Sequence, residues 1–188
     1  ALTSDDESLQ PGFEHADTSV QAAVPFYGVY DFTDRNHVQV PGFVSIFLEP
    51  WVMKSFLEDE PERWAAASPL DRIHADAPPF LIVHGDKDTL APLEDARQFA
   101  QDLREVSDAP VVFAELHGAQ HAFDVFLSPR TAPVIEGAER FLWAVHRDWA
   151  AGHDEAGEGI VDDATLRVDP DTDPDEAEDA DAQAVVGG

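Results

Sequence analysis

Over the first 150 positions, apolar residues fall either into short unbroken runs or into longer stretches spaced at 3.6 residues. Val20 to Tyr30, VQAAVPFYGVY, is rich in β-formers and ends at Asp31, which predicts a strand buried on both faces. Phe80 to Val83, FLIV, follows Pro78-Pro79 and stops at His84-Gly85, which predicts a second. Val111 to Leu116, VVFAEL, predicts a third. Between the second and third runs, Leu93, Ala96, Phe99, Ala100 and Leu103 share one helical face, with Pro92 suited to the first helical position. Val134, Ala138, Phe141, Leu142, Val145 and Trp149 mark another amphipathic helix, and Gly152 is placed to stop it. Strands alternating with helices predict an α/β fold, a mostly parallel sheet covered on both faces.

One segment interrupts the alternation. Residues 41 to 64, PGFVSIFLEPWVMKSFLEDEPERW, hold a cluster of large apolar side chains. They read either as an extension of the core, the commoner use of aromatic residues at helical spacing, or as a cap-like insertion (about 40–64) over the end of the sheet. In the second reading Trp51, Met53 and Phe56 are the candidate substrate-binding residues.

Composition divides the chain. From His153 onward it carries 13 of the 39 acidic residues, a single arginine and no aromatic residue. Such a stretch cannot bury enough apolar surface to offset the entropy of ordering its backbone. The expected organisation is therefore a folded domain over 1–152 and a disordered acidic tail over 153–188. The formal charge of -28 argues against nucleic-acid binding, because the protein would repel the polyanion it has to approach. No run reaches the eighteen or so apolar residues of a membrane span, so no stable membrane insertion is expected, and the cytoplasm is the favoured compartment. The absence of cysteine excludes disulfides, thiolate metal sites and a cysteine nucleophile.

In open parallel sheets, functional groups gather in the loops beyond the carboxyl ends of the strands. Three such loops are expected: Asp31-Phe-Thr-Asp34, His84-Gly-Asp-Lys-Asp88 and His117-Gly-Ala-Gln-His121. A carboxylate holding an imidazole lets histidine serve as general base toward a hydroxyl nucleophile. His117 and His121 are four apart, but Gly118 argues against the helix a zinc pair would need, and no third ligand is evident. No metal or cofactor is expected.

The series FLIVHGDKDTLAP, a helix, a strand and HGAQHAFD, preceded by AAVPFYGVYDFTD and PERWAAASPLDRIHADAPP, resembles the C-terminal half of an α/β-hydrolase of the carboxylesterase and lipase type. The resemblance covers residues 20 to 150 and implies the corresponding portion of a three-layer sandwich. It also implies a Ser-His-Asp triad whose acid is Asp88 and whose base is His121, acting on a small-molecule ester. Asp86, nearer the strand and suited to shaping the turn, and Asp31 are the competing acids. None of the serines has the flanks of a G-x-S-x-G elbow, and a glycine-rich oxyanion loop is missing. Ala1 to Glu14 reads like the last turn of the helix that would follow the elbow, so the nucleophile is expected upstream of Ala1 and this chain alone is expected to be inactive. The alternatives are a fragment of a prolyl-oligopeptidase-type serine peptidase, which shares the HGDKD-like loop, and a non-catalytic truncated or interaction protein.

Overall fold

The structure, a computed structural model, describes residues 1–4, 6–125 and 128–155. Strand β1, Phe80–Gly85, is buried along its whole length, and β2, Val111–Leu116, pairs with it in parallel from Phe80↔Val111 to Gly85↔Leu116. Parallel strands need a crossover, which α2, Leu93–Val106, supplies. Pro92 sits at the N-cap of α2 in an extended conformation, one position before the expected place. The predicted face of α2, Leu93, Ala96, Phe99, Ala100 and Leu103, is buried.

The run at residues 20–30 lies along the other edge of β1, but as isolated bridges rather than as a continuous strand. Ala23 and Phe26 bridge in parallel to Phe80 and Val83. Ala23 donates to the Pro79 carbonyl and accepts from Leu81, Pro25 accepts from Val83, and Tyr27 donates to Val83. Pro25 has no N–H for its own rung, and Tyr27 turns out of the extended region with φ 40°. Val20 and Gln21 are exposed and residues 22–29 half-buried, instead of covered on both faces.

Alternation along β1 divides the core between two faces. Phe80 and Ile82 pack with Ala96, Phe99, Ala100 and Leu103 of α2 and with Tyr30 and Leu70. Leu81 and Val83 pack with Ala119, Phe123 and Ala138, joined by Val134 and Phe141 of α3, Thr131–Glu155. Helices thus cover both sides of a parallel sheet. α3 runs three residues past Gly152, and the rest of the expected acidic tail, 156–188, lies outside the described residues.

Residues 41–64 divide between a π-helical segment, Phe43–Met53, and helix α1, Pro61–Ala67. Phe43, Leu48, Met53 and Trp64 form a separate buried cluster. The first residues contain turns and a single 3-10 turn, Glu7–Leu9, in place of the expected end of an α-helix.

Candidate functional site

Gly85 closes β1, and the chain then turns through Asp86, Lys87 and Asp88. The Asp88 carboxylate accepts the amides of Leu90 and Ala91 through Oδ1, both at 2.9 Å, an arrangement that aspartate side chains favour in turns. Its Oδ2 lies 2.9 Å from His121 Nδ1 and 3.5 Å from His84 Nε2. The Asp88 side chain is 0% exposed and that of His121 28%. Because a carboxylate only accepts, His121 carries its proton on Nδ1, and Nε2 is the nitrogen left to act on another group. Among the described residues, no hydroxyl hydrogen-bonds His121.

The histidine loop is fastened to the aspartate loop beneath it. Asp86 donates its amide to Leu116 O and accepts Gly118 N at 2.6 Å and His117 Nδ1 at 2.8 Å, while Lys87 N donates to Ala119 O. Burial would raise the Asp86 pKa, but the Gly118 amide and His117 outweigh it and hold the carboxyl below its usual range. Asp86 is thus engaged with the turn and with His117. Two glycines let the loops meet: Gly118 adopts φ +70°, and a Cβ on Gly85 would stand 2.3 Å from Ala119 O.

Asp31 is also buried, but its carboxylate is taken by Thr33, through backbone and hydroxyl, and by Arg35, through backbone and guanidinium. Burial alone would raise its pKa; the donors from Thr33 and Arg35 more than reverse this and lower it. Of the three candidate acids, Asp88 is the one hydrogen-bonded to His121.

The substrate-binding candidates do not converge. Met53 is 7% exposed within its cluster, whereas Trp51 is 73% and Phe56 63% exposed. Met53 also borders an apolar cavity of about 650 Å³ with Tyr30, Phe80 and Phe99, and neither Asp88, His121, Trp51 nor Phe56 lines it. The inward side of the π-helical segment takes Phe43, Leu48 and Met53 into the core, so its remaining aromatic residues face solvent. Among the described residues no cluster of three or more His, Asp or Glu is arranged to hold a metal, and no helix is long and apolar enough to cross a membrane.

Sequence patterning missed a neighbour of His121 and that neighbour's own partner. Tyr27 lays its ring 4.6 Å from the imidazole, and its hydroxyl donates to Asp124 Oδ1 at 2.8 Å. The pair is 97 residues apart, so no local spacing announces it.

Comparison with known proteins adds a frame to this geometry. A family model described as BD-FAE matches residues 1–103. The chain is 48% identical over 152 residues to the probable carboxylic ester hydrolase LipM of Mycobacterium tuberculosis, covering 81% of this chain and 35% of LipM. Esterase LipQ of the same organism is 44% identical over 146 residues, 78% of this chain and 34% of LipQ. The chain therefore spans about a third of the length of these curated relatives. Among solved structures, the butyrate-bound thermophilic esterase Est2 of Thermogutta terrifontis superposes with a TM-score of 0.54 at 23% identity, over 70% of this chain and 46% of that one. That likeness is one of fold.

Proposed function

Since the chain belongs to the BD-FAE family, of α/β-hydrolase carboxylesterase type, we propose that it serves the hydrolysis of carboxylic esters through a Ser-His-Asp triad, of which Asp88 is the acid and His121 the base. The observation that carries this reading is the 2.9 Å contact between His121 Nδ1 and a carboxylate wholly removed from solvent. A buried carboxylate in that place fixes the tautomer and stabilises the imidazolium, so that Nε2 can take and return a proton. The names of LipM and LipQ, an ester hydrolase and an esterase, support an ester over an amide substrate.

The serine and the oxyanion donors are proposed to come from a part of the protein outside these 188 residues. The serine Oγ attacks the ester carbonyl as His121 Nε2 takes its proton. Backbone amides near that serine would hold the oxyanion, commonly the largest electrostatic contribution to acyl transfer. Collapse breaks the bond to the alkoxy oxygen, which leaves as the alcohol with the proton from His121. Water, deprotonated by His121, then releases the acid and restores the serine. Of the candidate substrate contacts, Trp51 and Phe56 offer exposed apolar side chains to a short to medium acyl chain, whereas Met53 is taken up in the core.

The reading is tested by hydrolysis of a p-nitrophenyl ester by the intact protein that carries these residues. His121→Ala and Asp88→Ala should each lower kcat by about 1,000-fold or more, as loss of a triad member does. Asp86→Ala should retain far more activity, at a cost in stability. Wild-type kcat in His121→Ala would defeat the assignment.

A further inference from the structure

Resting on that reading, we infer that Tyr27 and Asp124 act as one positioning device for His121: the tyrosine ring supports the imidazole while its hydroxyl anchors the loop that carries it. Tyr27 N donates to Val83 O at 2.8 Å, which ties its backbone to the buried strand β1. Its ring lies 4.6 Å from that of His121 at 57°, and Phe123 meets it edge-on at 5.8 Å. Phe123 in turn stacks on Phe26 at 5.8 Å, so residues from both segments interleave on this side of the imidazole. The hydroxyl then reaches Asp124 Oδ1, three residues beyond His121. His121 is thus held at Nδ1 by Asp88 and across its ring by Tyr27, whose two anchors are β1 and Asp124.

The backbone bears the same mark. Tyr27, at φ 40°, and Ala122, at φ 56°, are both non-glycine residues in the left-handed region, and one touches His121 while the other follows it. Such conformations are strained and persist where surrounding contacts over-determine them. The contacts here are those that aim the imidazole. Burial, with the Asp124 charge, raises the Tyr27 pKa, so the phenol keeps its proton at neutral pH and remains the donor to Asp124.

A fixed ring matters because a proton must pass between Nε2 and an oxygen at hydrogen-bond distance, and misplacement by 1 Å can cost about 100-fold. Tyr27 touches no reacting atom; it acts through His121, as does Asp124.

The test is steady-state hydrolysis of a p-nitrophenyl ester by the intact protein, with Tm recorded for each variant. Tyr27→Phe keeps the ring and loses the anchor, and it should lower kcat by about 10-fold, a partial misplacement, with KM little changed. Asp124→Ala should match it, and Asp124→Asn, which keeps an acceptor oxygen, should stay near the parent. The double variant Tyr27→Phe/Asp124→Ala should be no worse than either single, since both remove one hydrogen bond. Additive losses, or a wild-type kcat in Tyr27→Phe while His121→Ala is dead, would overturn the device and leave the triad standing. Undiminished hydrolysis by His121→Ala would instead remove the reading beneath it. If Tyr27→Phe proves unstable, the Asp124→Asn and Asp124→Ala pair alone decides: equal kcat in the two refutes the anchor.

Discussion

His84 and Asp88 meet inside the protein, both with side chains 0% exposed, His84 Nε2 standing 3.5 Å from Asp88 Oδ2 and 3.0 Å from Ala91 O. The histidine at the end of β1 thus braces the turn that presents Asp88. Donating from Nε2 satisfies the Ala91 carbonyl, and among the described residues its Nδ1 has no hydrogen-bond partner. His84→Leu should cost about 1–3 kcal/mol, the usual penalty for a buried polar group left unpaired. Urea unfolding measures that loss. Because the Asp88 turn loosens, kcat for ester hydrolysis should fall as well, and a stability loss with an unchanged kcat would confine His84 to the fold.

Gly85 is where the aspartate and histidine loops touch, with Ala119 O in the space a side chain would need. A methyl group there meets backbone, which cannot swing aside. Gly85→Ala should therefore destabilise by about 1–3 kcal/mol, as overpacking does, and should part Asp88 from His121. Gly137, inside α3 with nothing within 4 Å of its would-be Cβ, is the matched control. Gly137→Ala should gain about 0.5–1 kcal/mol from helix propensity. Thermal melts on the two variants should move in opposite directions, and ester turnover should fall in Gly85→Ala alone.

Phe99 makes two ring contacts in the core. It stacks on Tyr30 at 4.5 Å and 17° and meets Phe80 edge-on at 5.7 Å, joining α2 to β1 and to the segment before Asp31. Phe99→Ala should cost about 3–5 kcal/mol, since neighbours on three elements cannot all collapse into the space. Denaturant midpoints with an unchanged m-value would verify it. Phe99→Leu, which keeps most of the volume, should cost less than half as much.

The parts of the molecule that were legible in the sequence are those written in repeated local chemistry. β1, β2 and the buried face of α2 follow from apolar periodicity, and the Asp88 and His121 loops follow from residue types placed just beyond strand ends. Where one residue decides, periodicity fails. Pro25 and the left-handed Tyr27 reduce an apolar run to two bridges. The π-helical turn of Phe43–Met53 buries Phe43, Leu48 and Met53, five positions apart, a spacing that a 3.6-residue wheel would scatter around the helix. The Tyr27–Asp124 bond joins distant positions, and long-range pairs leave no spacing to read.

Asp95 escaped the sequence for a similar reason: it lies beside the apolar stripe of α2, and only tertiary packing buries it, to 1% exposure. Gln39 Nε2 donates to its Oδ2 at 3.2 Å, and among the described residues Oδ1 has no hydrogen-bond partner. Burial, with the nearby charges of Asp31, Asp34 and Glu94 and against the pull of Arg35, raises its pKa to about 6. A carboxyl whose folded pKa lies above its unfolded value holds a proton that unfolding releases. Its contribution to stability is therefore full below the unfolded pKa, declines as pH rises through about 4 to 6, and is absent above. At pH 8 the folded protein must keep this group ionised at a cost of up to about 3 kcal/mol. Asp95→Asn removes the charge and keeps the shape, so it should be the more stable form at pH 8. At pH 5, still above the pI of 4.2 where solubility is lowest, its advantage should shrink by about 1 kcal/mol. Asp31, with a lowered pKa, loses its stabilising effect only at more acidic pH and is common to both proteins, so it cancels. Paired denaturation curves at the two pH values decide the matter: an advantage equal at both would assign the effect to packing and not to the buried proton.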